Sequence, residues 1–220
     1  MPDQGSRSVI AADPPGRRAR ASVRLRVGVF GGSLCCVGLG VALMVRARLG
    51  VAPNDVMNTG VAHQLGMGVG TASWITSGVA IALGWSLGRP PRAATLVGGL
   101  LVGFAINGAI AALPAPDLIV ARSAMLALGL LFVWVGITGI VSADIGVGPI
   151  ELVMLGIMDR GVSVRVARWG LELSLVTIGL LLGGAAGVGT ALFAFGAGPA
   201  LAFTLPRATA RLGTDLRRPT

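Results

Sequence analysis

Two short stretches decide the fold: "LGVAPND" at residues 49–55 and "IGVGPIE" at residues 145–151. Each contains Gly-Val-x-Pro, and in each an acidic residue follows two positions after the proline. Gly50 and Gly146 are 96 residues apart, and each stretch follows a long apolar run. Proline suits the first position of a helix, because the N–H that it lacks would have no partner there. The pattern therefore predicts two equivalent helices that begin behind flexible turns.

The composition is that of an integral membrane protein. The chain has 220 residues, of which 54% are apolar and 12% are charged. This charged share is about half that of a soluble domain. Glycine is abundant, with 35 residues, and small residues are frequent in transmembrane helices because they let backbones approach closely. The apolar content excludes a disordered glycine-rich chain.

Several apolar runs are long enough to cross a hydrocarbon core of ~30 Å, which takes about 20 helical residues. Uncharged runs of 19, 23, 24 and 21 residues cover positions 27–45, 66–88, 93–116 and 123–143, and a run of 34 covers 173–206. The sequence "GGAAG" at 183–187 divides the last run into two spans. These runs together predict six full-length membrane helices.

Two segments that begin with the prolines, 53–66 and 149–160, are shorter. Helices of 12 to 14 residues reach only ~18–21 Å, because each residue adds 1.5 Å. We therefore expect two broken or re-entrant half-helices that enter the membrane without crossing it.

The two halves of the chain resemble each other. When residues 40–60 are aligned with 136–156, seven of the 21 pairs are identical, including Pro53 with Pro149, and Asp55 aligns with Glu151. After one residue is dropped the register continues at an offset of 95 and pairs Trp74 with Trp169. Tryptophan occurs only four times, so this pair is informative. The pattern predicts an internal duplication.

The number of crossings sets the relative orientation of the two halves. Three spans in each half make the second half enter from the opposite side, which is the inverted repeat of many secondary transporters. The predicted fold is an all-α polytopic bundle of six spans and two half-helices. The alternative is eight spans and a parallel repeat. Six spans place five connecting arginines inside and three outside, whereas eight spans place four on each side, so the positive-inside rule favours six.

Basic tails flank the membrane region. All 18 basic residues are arginine, six of them before the first apolar run and four after the last. We expect a basic tail over 1–26, membrane repeats over 27–113 and 119–206, and a second basic tail over 207–220. Such tails predict a cytoplasmic membrane protein with both termini in the cytoplasm, in contact with anionic lipid headgroups. No aromatic residue lies between these arginines, so nucleic-acid binding is not expected.

The stretch "GLGVALMVRARLGVAPNDVMNTGV" at 38–61 resembles the first-half signature of the YczE/YyaS/YitT group of bacterial integral membrane proteins. In that group a long helix ends in a Gly-Val-x-Pro turn with Asp two residues on. The resemblance covers about residues 27–206, and Asn54 departs from the aromatic residue of the closer relatives. It implies a multi-span protein of the cytoplasmic membrane without an established biochemical activity.

The acidic residues Asp55 and Glu151 are the first candidates for a binding site. A carboxylate at membrane depth costs ~2.5–3.5 kcal/mol on insertion scales and persists where it is paired, hydrated or functional. Each carboxylate could simply cap its own helix, because the positive end of the helix dipole favours negative charge. Alternatively, an inverted repeat brings both turns together near the midplane. The carboxylates and the carbonyls of Gly50 and Gly146 would then hold a cation, an amine or a proton.

Three further residues complete the set of candidates. Pro53 and Pro149 shape the two turns, and Asn107 interrupts the apolar run at 93–113. An asparagine in a membrane bundle more often bonds a neighbouring helix than a substrate. The sequence has no catalytic set, no cluster of metal ligands and no cofactor fingerprint, so we expect neither an enzyme nor a bound metal or cofactor.

Two functional hypotheses follow from these features. The first is a transporter or permease for a small polar or cationic solute, ion-coupled and with its site between the two repeats. The second is a non-transporting scaffold or regulatory partner in the membrane, since few polar residues line the spans. The solute, the coupling ion and the oligomeric state, including a homo-oligomer, are left open by the sequence.

Overall fold

The computed structural model describes residues 21–214, and these form a bundle of eight α-helices, which confirms the all-α prediction. The helices are α1 (Val23–Ala47), α2 (Pro53–Leu65), α3 (Val69–Ser86), α4 (Ala93–Ala112), α5 (Ile119–Ala143), α6 (Pro149–Met158), α7 (Val164–Leu181) and α8 (Val188–Leu212).

The two short helices begin where the sequence predicts them. Pro53 and Pro149 occupy the first turns of α2 and α6, which have 13 and 10 residues. These helices are only ~20 and ~15 Å long. The axes of α2 and α3 meet at 112° across residues 66–68. This bend means that α2 does not continue α3 as a straight span.

Four helices, α1, α4, α5 and α8, are long and apolar enough to cross a membrane, and α2 with α3 adds a fifth span if the bent pair counts as one. The structure thus supports four or five apolar spans where the sequence predicts six. Helix α3 qualifies only together with α2, and the 18 residues of α7 include Arg165, Arg168 and Glu172. The backbone N–H of Ala21 donates to the carbonyl of Leu212 at 3.0 Å, so the described chain begins and ends at the same end of the bundle.

Both terminal helices extend past their predicted limits. Helix α1 begins at Val23 rather than 27, and the Ser22 side chain accepts from the N–H of Leu25. Helix α8 continues to Leu212 rather than 206, with Pro199 and Pro206 inside it. Each proline removes one helical N–H, yet α8 continues through both positions. The side chains of Thr204, Arg207 and Thr209 donate to the carbonyls of Ala200, Phe203 and Leu205 in the same part of the helix. The remaining tail positions, 1–20 and 215–220, lie outside the described residues.

Helices α1 and α5 form the centre of the bundle, with α4 packed on α1 and α8 packed on α5. A methyl group on Gly40 would lie 2.8 Å from the carbonyl oxygen of Gly129, and one on Gly136 would lie 2.8 Å from that of Ser33. Late residues of each helix therefore meet early residues of the other, so the two helices are antiparallel. Glycine at these positions lets the backbones touch.

The other four helices form a ring. Helix α2 packs against α3 and α7, and α6 packs against the same two helices. Gly60 of α2 approaches Leu182 after α7, and Gly156 of α6 approaches Leu87 after α3. Each short helix therefore lies between a helix of its own half and a helix of the other half.

Candidate functional site

A chain of buried polar side chains starts at Asp55 in the first turn of α2. Asp55 is only 6% exposed and Asn58 only 1%. The amide of Asn58 donates to Oδ1 of Asp55 at 3.0 Å, and the hydroxyl of Thr76 in α3 donates to the amide oxygen of Asn58 at 2.5 Å. The carboxylate, the amide and the hydroxyl thus connect α2 to α3 inside the bundle.

The same turn of α2 is bonded to the second half of the chain. The hydroxyl of Thr59 donates to the carbonyl of Asp55 at 2.8 Å and accepts from the N–H of Ala185 at 3.0 Å. The carbonyl of Ala185 accepts in turn from the N–H of Val51 at 3.1 Å. The segment between α7 and α8 therefore contacts the acidic turn directly.

The carboxylate of Asp55 has no cationic partner among residues 21–214, whose salt bridges all involve other residues. Its hydrogen bond comes from a side chain, not from a backbone N–H of its own helix. Helix capping alone therefore does not account for its position. A buried charge without a counter-ion is costly, so this group is suited to binding a proton or a cation.

Glu151 has a different environment. It is exposed, and its Oε2 lies over Gly148, the residue before α6. This position fits the helix-capping alternative. Within the described residues no hydrogen bond or ion pair joins it to Asp55, so the structure does not combine the two acids in one contact. At the positions 96 and 95 residues after Asn58 and Thr76, the second half has Met154 and Leu171, which offer no polar partner.

The turns before the short helices are close-packed. Gly50 has a φ of +106°, and a methyl group there would lie 2.6 Å from the backbone nitrogen of Gly187. Only glycine fits both conditions. Gly146 has no left-handed φ, but a methyl group on it would lie 2.8 Å from Cβ of Ala94. Ligand binding by the carbonyls of Gly50 and Gly146 stays a prediction.

Each turn is bonded to the start of a long helix. The carbonyl of Leu49 accepts from the N–H of Gly189 at the start of α8, at 2.8 Å. The carbonyl of Val147 accepts from the hydroxyl of Thr95 at the start of α4, also at 2.8 Å. The last helix of each half therefore holds the turn of the other half.

Asn107 lies away from the Asp55 chain and joins α4 to α3. Its amide oxygen accepts from the N–H of Gly70 at 2.9 Å, and its amide nitrogen donates to the hydroxyl of Thr71 at 3.0 Å. It makes the interhelical bonds that the sequence analysis favoured over a substrate contact.

Sequence reasoning missed two arginines that hold the central helices. Arg122 at the start of α5 donates to the carbonyls of Ala47 and Arg48 at the end of α1, at 2.8 and 2.7 Å. Arg26 at the start of α1 donates to the carbonyls of Ala143 and Asp144 at the end of α5. Since Arg26 and Arg122 are 96 residues apart, extending the repeat alignment towards the N-terminus would have found them.

Two other members of the Asp55 chain were also missed: Asn58, which bonds to Asp55, and Thr76, which bonds to Asn58. Asn58 is three residues after Asp55, a spacing that places two side chains on one helix face, so helix geometry could have found it. Thr76 belongs to α3 and is one of several hydroxyl residues there. No pattern in the sequence distinguishes it from its neighbours.

A solvent-exposed ion pair joins the segment after α3 to the end of α6. Nε and Nη2 of Arg89 each lie 2.5 Å from a carboxylate oxygen of Asp159. The hydrogen bond and the charge of Arg89 hold the pKa of Asp159 below its ordinary value of 3.8, and Arg160 adds to the effect.

This ion pair predicts a pH dependence of stability. Since the pKa of Asp159 is lower in the folded state, its stabilisation is complete above the unfolded pKa of about 4. It is lost as the pH falls through the lower folded pKa. We expect the melting temperature of Arg89→Gln to fall slightly less steeply below pH 4 than that of the wild type. The difference is small because an exposed ion pair contributes little to stability. Arg92→Gln, which removes a nearby exposed charge, should melt like the wild type at each pH. Identical acid melting of the wild type and Arg89→Gln would contradict the prediction.

These helices and their buried polar contacts define a polytopic α-helical membrane protein. The model of the family of unknown function DUF6198 matches residues 24–206, and the chain belongs to that family.

Two relatives are similar over most of their length. An uncharacterized protein of Haemophilus influenzae is 31% identical over 175 residues, which cover 79% of this chain and 80% of the relative. The uncharacterized membrane protein YczE of Bacillus subtilis is 28% identical over 199 residues, covering 89% and 93%. No solved structure matches the chain.

Proposed function

We propose that this protein is an ion- or proton-coupled transporter of a small solute, and that Asp55 is the carboxylate that binds the coupling ion. The observation that carries the proposal is the burial of Asp55, at 6% exposure, with one amide donor and with no cationic partner within residues 21–214. Ionisable residues inside membrane bundles commonly mark ion pathways and proton relays.

The transporter is built, in this proposal, from two inverted repeats, α1–α4 and α5–α8. The antiparallel packing of α1 and α5 supports this arrangement, because they are the first helices of the two halves. The arginine bonds agree with it: Arg26 and Arg122, 96 residues apart, bond to carbonyls that are also 96 residues apart. Two such sets of bonds are what a twofold axis between α1 and α5 would produce.

Contacts in the ring of short helices follow the same relation. Gly60 meets Leu182, and Gly156 meets Leu87. The side chain of Gln64 donates to the carbonyl of Leu182 at 3.2 Å, and that of Arg160 donates to the carbonyl of Leu87 at 3.0 Å. Equivalent residues of α2 and α6 thus contact equivalent residues across the interface between halves. Transporters with this symmetry work by moving one part against the other around a fixed site.

The chemistry of the Asp55 chain limits what it binds. The carboxylate accepts from the amide of Asn58, which in turn accepts from the hydroxyl of Thr76. Since this chain contains no cation, the positive charge must come from the ligand. A proton, a monovalent cation or an amine fits this set. Binding would act on α2, and the bond from Ala185 to Thr59 would carry the change to the segment between α7 and α8.

Orientation follows from the basic residues. The end of the bundle where the described chain begins and ends includes Arg24, Arg26 and Arg211. By the positive-inside rule this end faces the cytoplasm, and the membrane is the cytoplasmic membrane.

The test is charge movement by the purified full chain in proteoliposomes, recorded by solid-supported membrane electrophysiology after rapid solution exchange. Monovalent cations, small amines and amino acids are applied in turn at two pH values. We expect a transient current with at least one compound, and a fall of tenfold or more in Asp55→Asn, which keeps the size of the side chain but removes its charge.

The matched control is Glu151→Gln, which removes the exposed acid at the equivalent position. We expect its current to stay within about twofold of the wild type. Equal currents from Asp55→Asn and the wild type would contradict the role of Asp55. A wild-type protein without current for any compound would contradict transport of these solutes and favour a membrane scaffold.

A further inference from the structure

A groove of about 230 Å³ lies between α5 and α8 near the end of the bundle that holds both chain ends. Its walls include Val135 and Thr138 of α5, and Thr204, Arg207 and Arg211 of α8. Both helices are apolar enough to span the membrane, and Val135 is 49% exposed. The groove therefore opens towards the lipid rather than into the ring that contains Asp55.

Two arginines one helical turn apart stand at this groove. Arg207 and Arg211 are exposed and have no acidic partner in the salt bridges of residues 21–214. The guanidinium of Arg207 lies 3.7 Å from the centre of the Phe203 ring and donates to the carbonyl of Phe203. These contacts orient the guanidinium, and its other N–H groups stay free to donate.

The groove also has polar groups on its walls. The hydroxyls of Thr138 and Thr204 are 2.7 Å apart, across the contact between α5 and α8. Both hydroxyls also bond to backbone carbonyls of their own helices, those of Trp134 and Ala200. Their two hydrogens are therefore used within the protein, and a further group can join the pair only as a donor to its lone pairs. The hydroxyl groups of a glycerol headgroup are donors of this kind and match this position, between the apolar wall and the arginines.

The other half of the chain provides an internal comparison. At the repeat offsets of 96 and 95, the counterparts of Thr138 and Thr204 are Ala42 and Ala109, and those of Arg207 and Arg211 are Ala112 and Pro116. The polar and basic groups are therefore not a consequence of the repeated fold. They occur only at the end of the bundle that the charge distribution assigns to the cytoplasm.

We propose that the α5–α8 groove binds one anionic phospholipid, with its phosphate between Arg207 and Arg211 and an acyl chain along Val135. Guanidinium groups bind phosphate oxygens in a bidentate manner, and the cytoplasmic leaflet is the anionic one. A zwitterionic lipid fits less well, because its ammonium group would lie near the arginines. This inference is independent of transport and of Asp55.

The experiment measures the melting temperature of the purified full chain in detergent during titration with phosphatidylglycerol, phosphatidylcholine or inorganic phosphate. We expect the melting temperature to rise to a plateau with phosphatidylglycerol, and to stay unchanged with phosphatidylcholine and with inorganic phosphate. Arg207→Gln/Arg211→Gln should weaken the apparent affinity tenfold or more. The control Arg92→Gln/Arg165→Gln removes two other exposed arginines and should stay within about twofold.

An equal loss of affinity for phosphatidylglycerol in both double variants would overturn the proposal, because the binding would then depend on the whole basic surface. Equal stabilisation by inorganic phosphate would overturn it in favour of a free phosphate site. Should the Arg207/Arg211 variant fail to fold, the wild type decides the question with a photoreactive phosphatidylglycerol. Labelling within 133–142 or 199–212 supports the groove, and labelling confined to other segments overturns it.

Discussion

Gly40→Leu is expected to destroy the central contact of the bundle. The added side chain would begin 2.8 Å from the backbone oxygen of Gly129 and from the backbone nitrogen of Val133. Backbone atoms of a long helix cannot turn aside as a side chain can, so α1 and α5 must separate. Overpacking of this kind costs about 3 kcal/mol or more. Size-exclusion profiles and melting temperatures in detergent would show a large loss of folded protein.

The same substitution elsewhere on α1 provides the control. Gly28 has no atom within 4 Å of the position where its Cβ would lie. The free energy of unfolding of Gly28→Leu should therefore stay within about 1 kcal/mol of the wild-type value. Gly136→Leu should behave like Gly40→Leu, because its Cβ would lie 2.8 Å from the carbonyl of Ser33. Comparable melting of Gly28→Leu and Gly40→Leu would contradict the close α1–α5 packing.

Arg122→Gln is expected to destabilise the protein by about 3 kcal/mol, since it removes two charge-assisted hydrogen bonds worth ~1.5–3 kcal/mol each and glutamine replaces them in part. The lost donors leave the carbonyls of Ala47 and Arg48 without these bonds at the end of α1. Arg26→Gln should cost a similar amount at the end of α5, where Arg26 also pairs with Asp144 at 3.3 Å.

Two comparisons sharpen this prediction. Arg48→Gln removes an exposed charge beside the same turn and should cost under about 1 kcal/mol. The double variant Arg26→Gln/Arg122→Gln should lose about the sum of the single losses, because the bonds lie at opposite ends of the α1–α5 pair. A strong effect of one arginine with none of the other would contradict their equivalence. Equilibrium unfolding in detergent and denaturant measures all four variants.

The apolar runs anticipated a helix in each of the six predicted spans, and four of these helices, or five spans with the bent α2–α3 pair, are long and apolar enough to cross a membrane. Length alone included α3 and α7, whereas α3 is bent away from α2 and α7 carries three charges in 18 residues. The end of α8 was set too early, at Pro206. Proline inside a membrane helix removes one hydrogen bond, and a helix that is packed against its neighbours tolerates this loss without ending.

The sequence by itself determined where the short helices begin. The ring of Pro53 or Pro149 restricts the backbone to the φ of a helix and lacks the N–H that a first turn cannot use. It also limited their length, because Gly66 and Gly161 at their ends adopt a left-handed φ. The conformational preferences of proline and glycine are local properties, and they do not depend on what the helix packs against.

Only the tertiary structure decided which of the two aligned acids became buried. Asp55 and Glu151 follow the same turn and the same proline, yet only Asp55 is enclosed and bonded to an amide that a hydroxyl of α3 holds. Burial and pairing depend on residues from other helices, which come together only when the bundle packs. The free energy of a carboxylate in the membrane is determined by those neighbours, not by the local sequence around it.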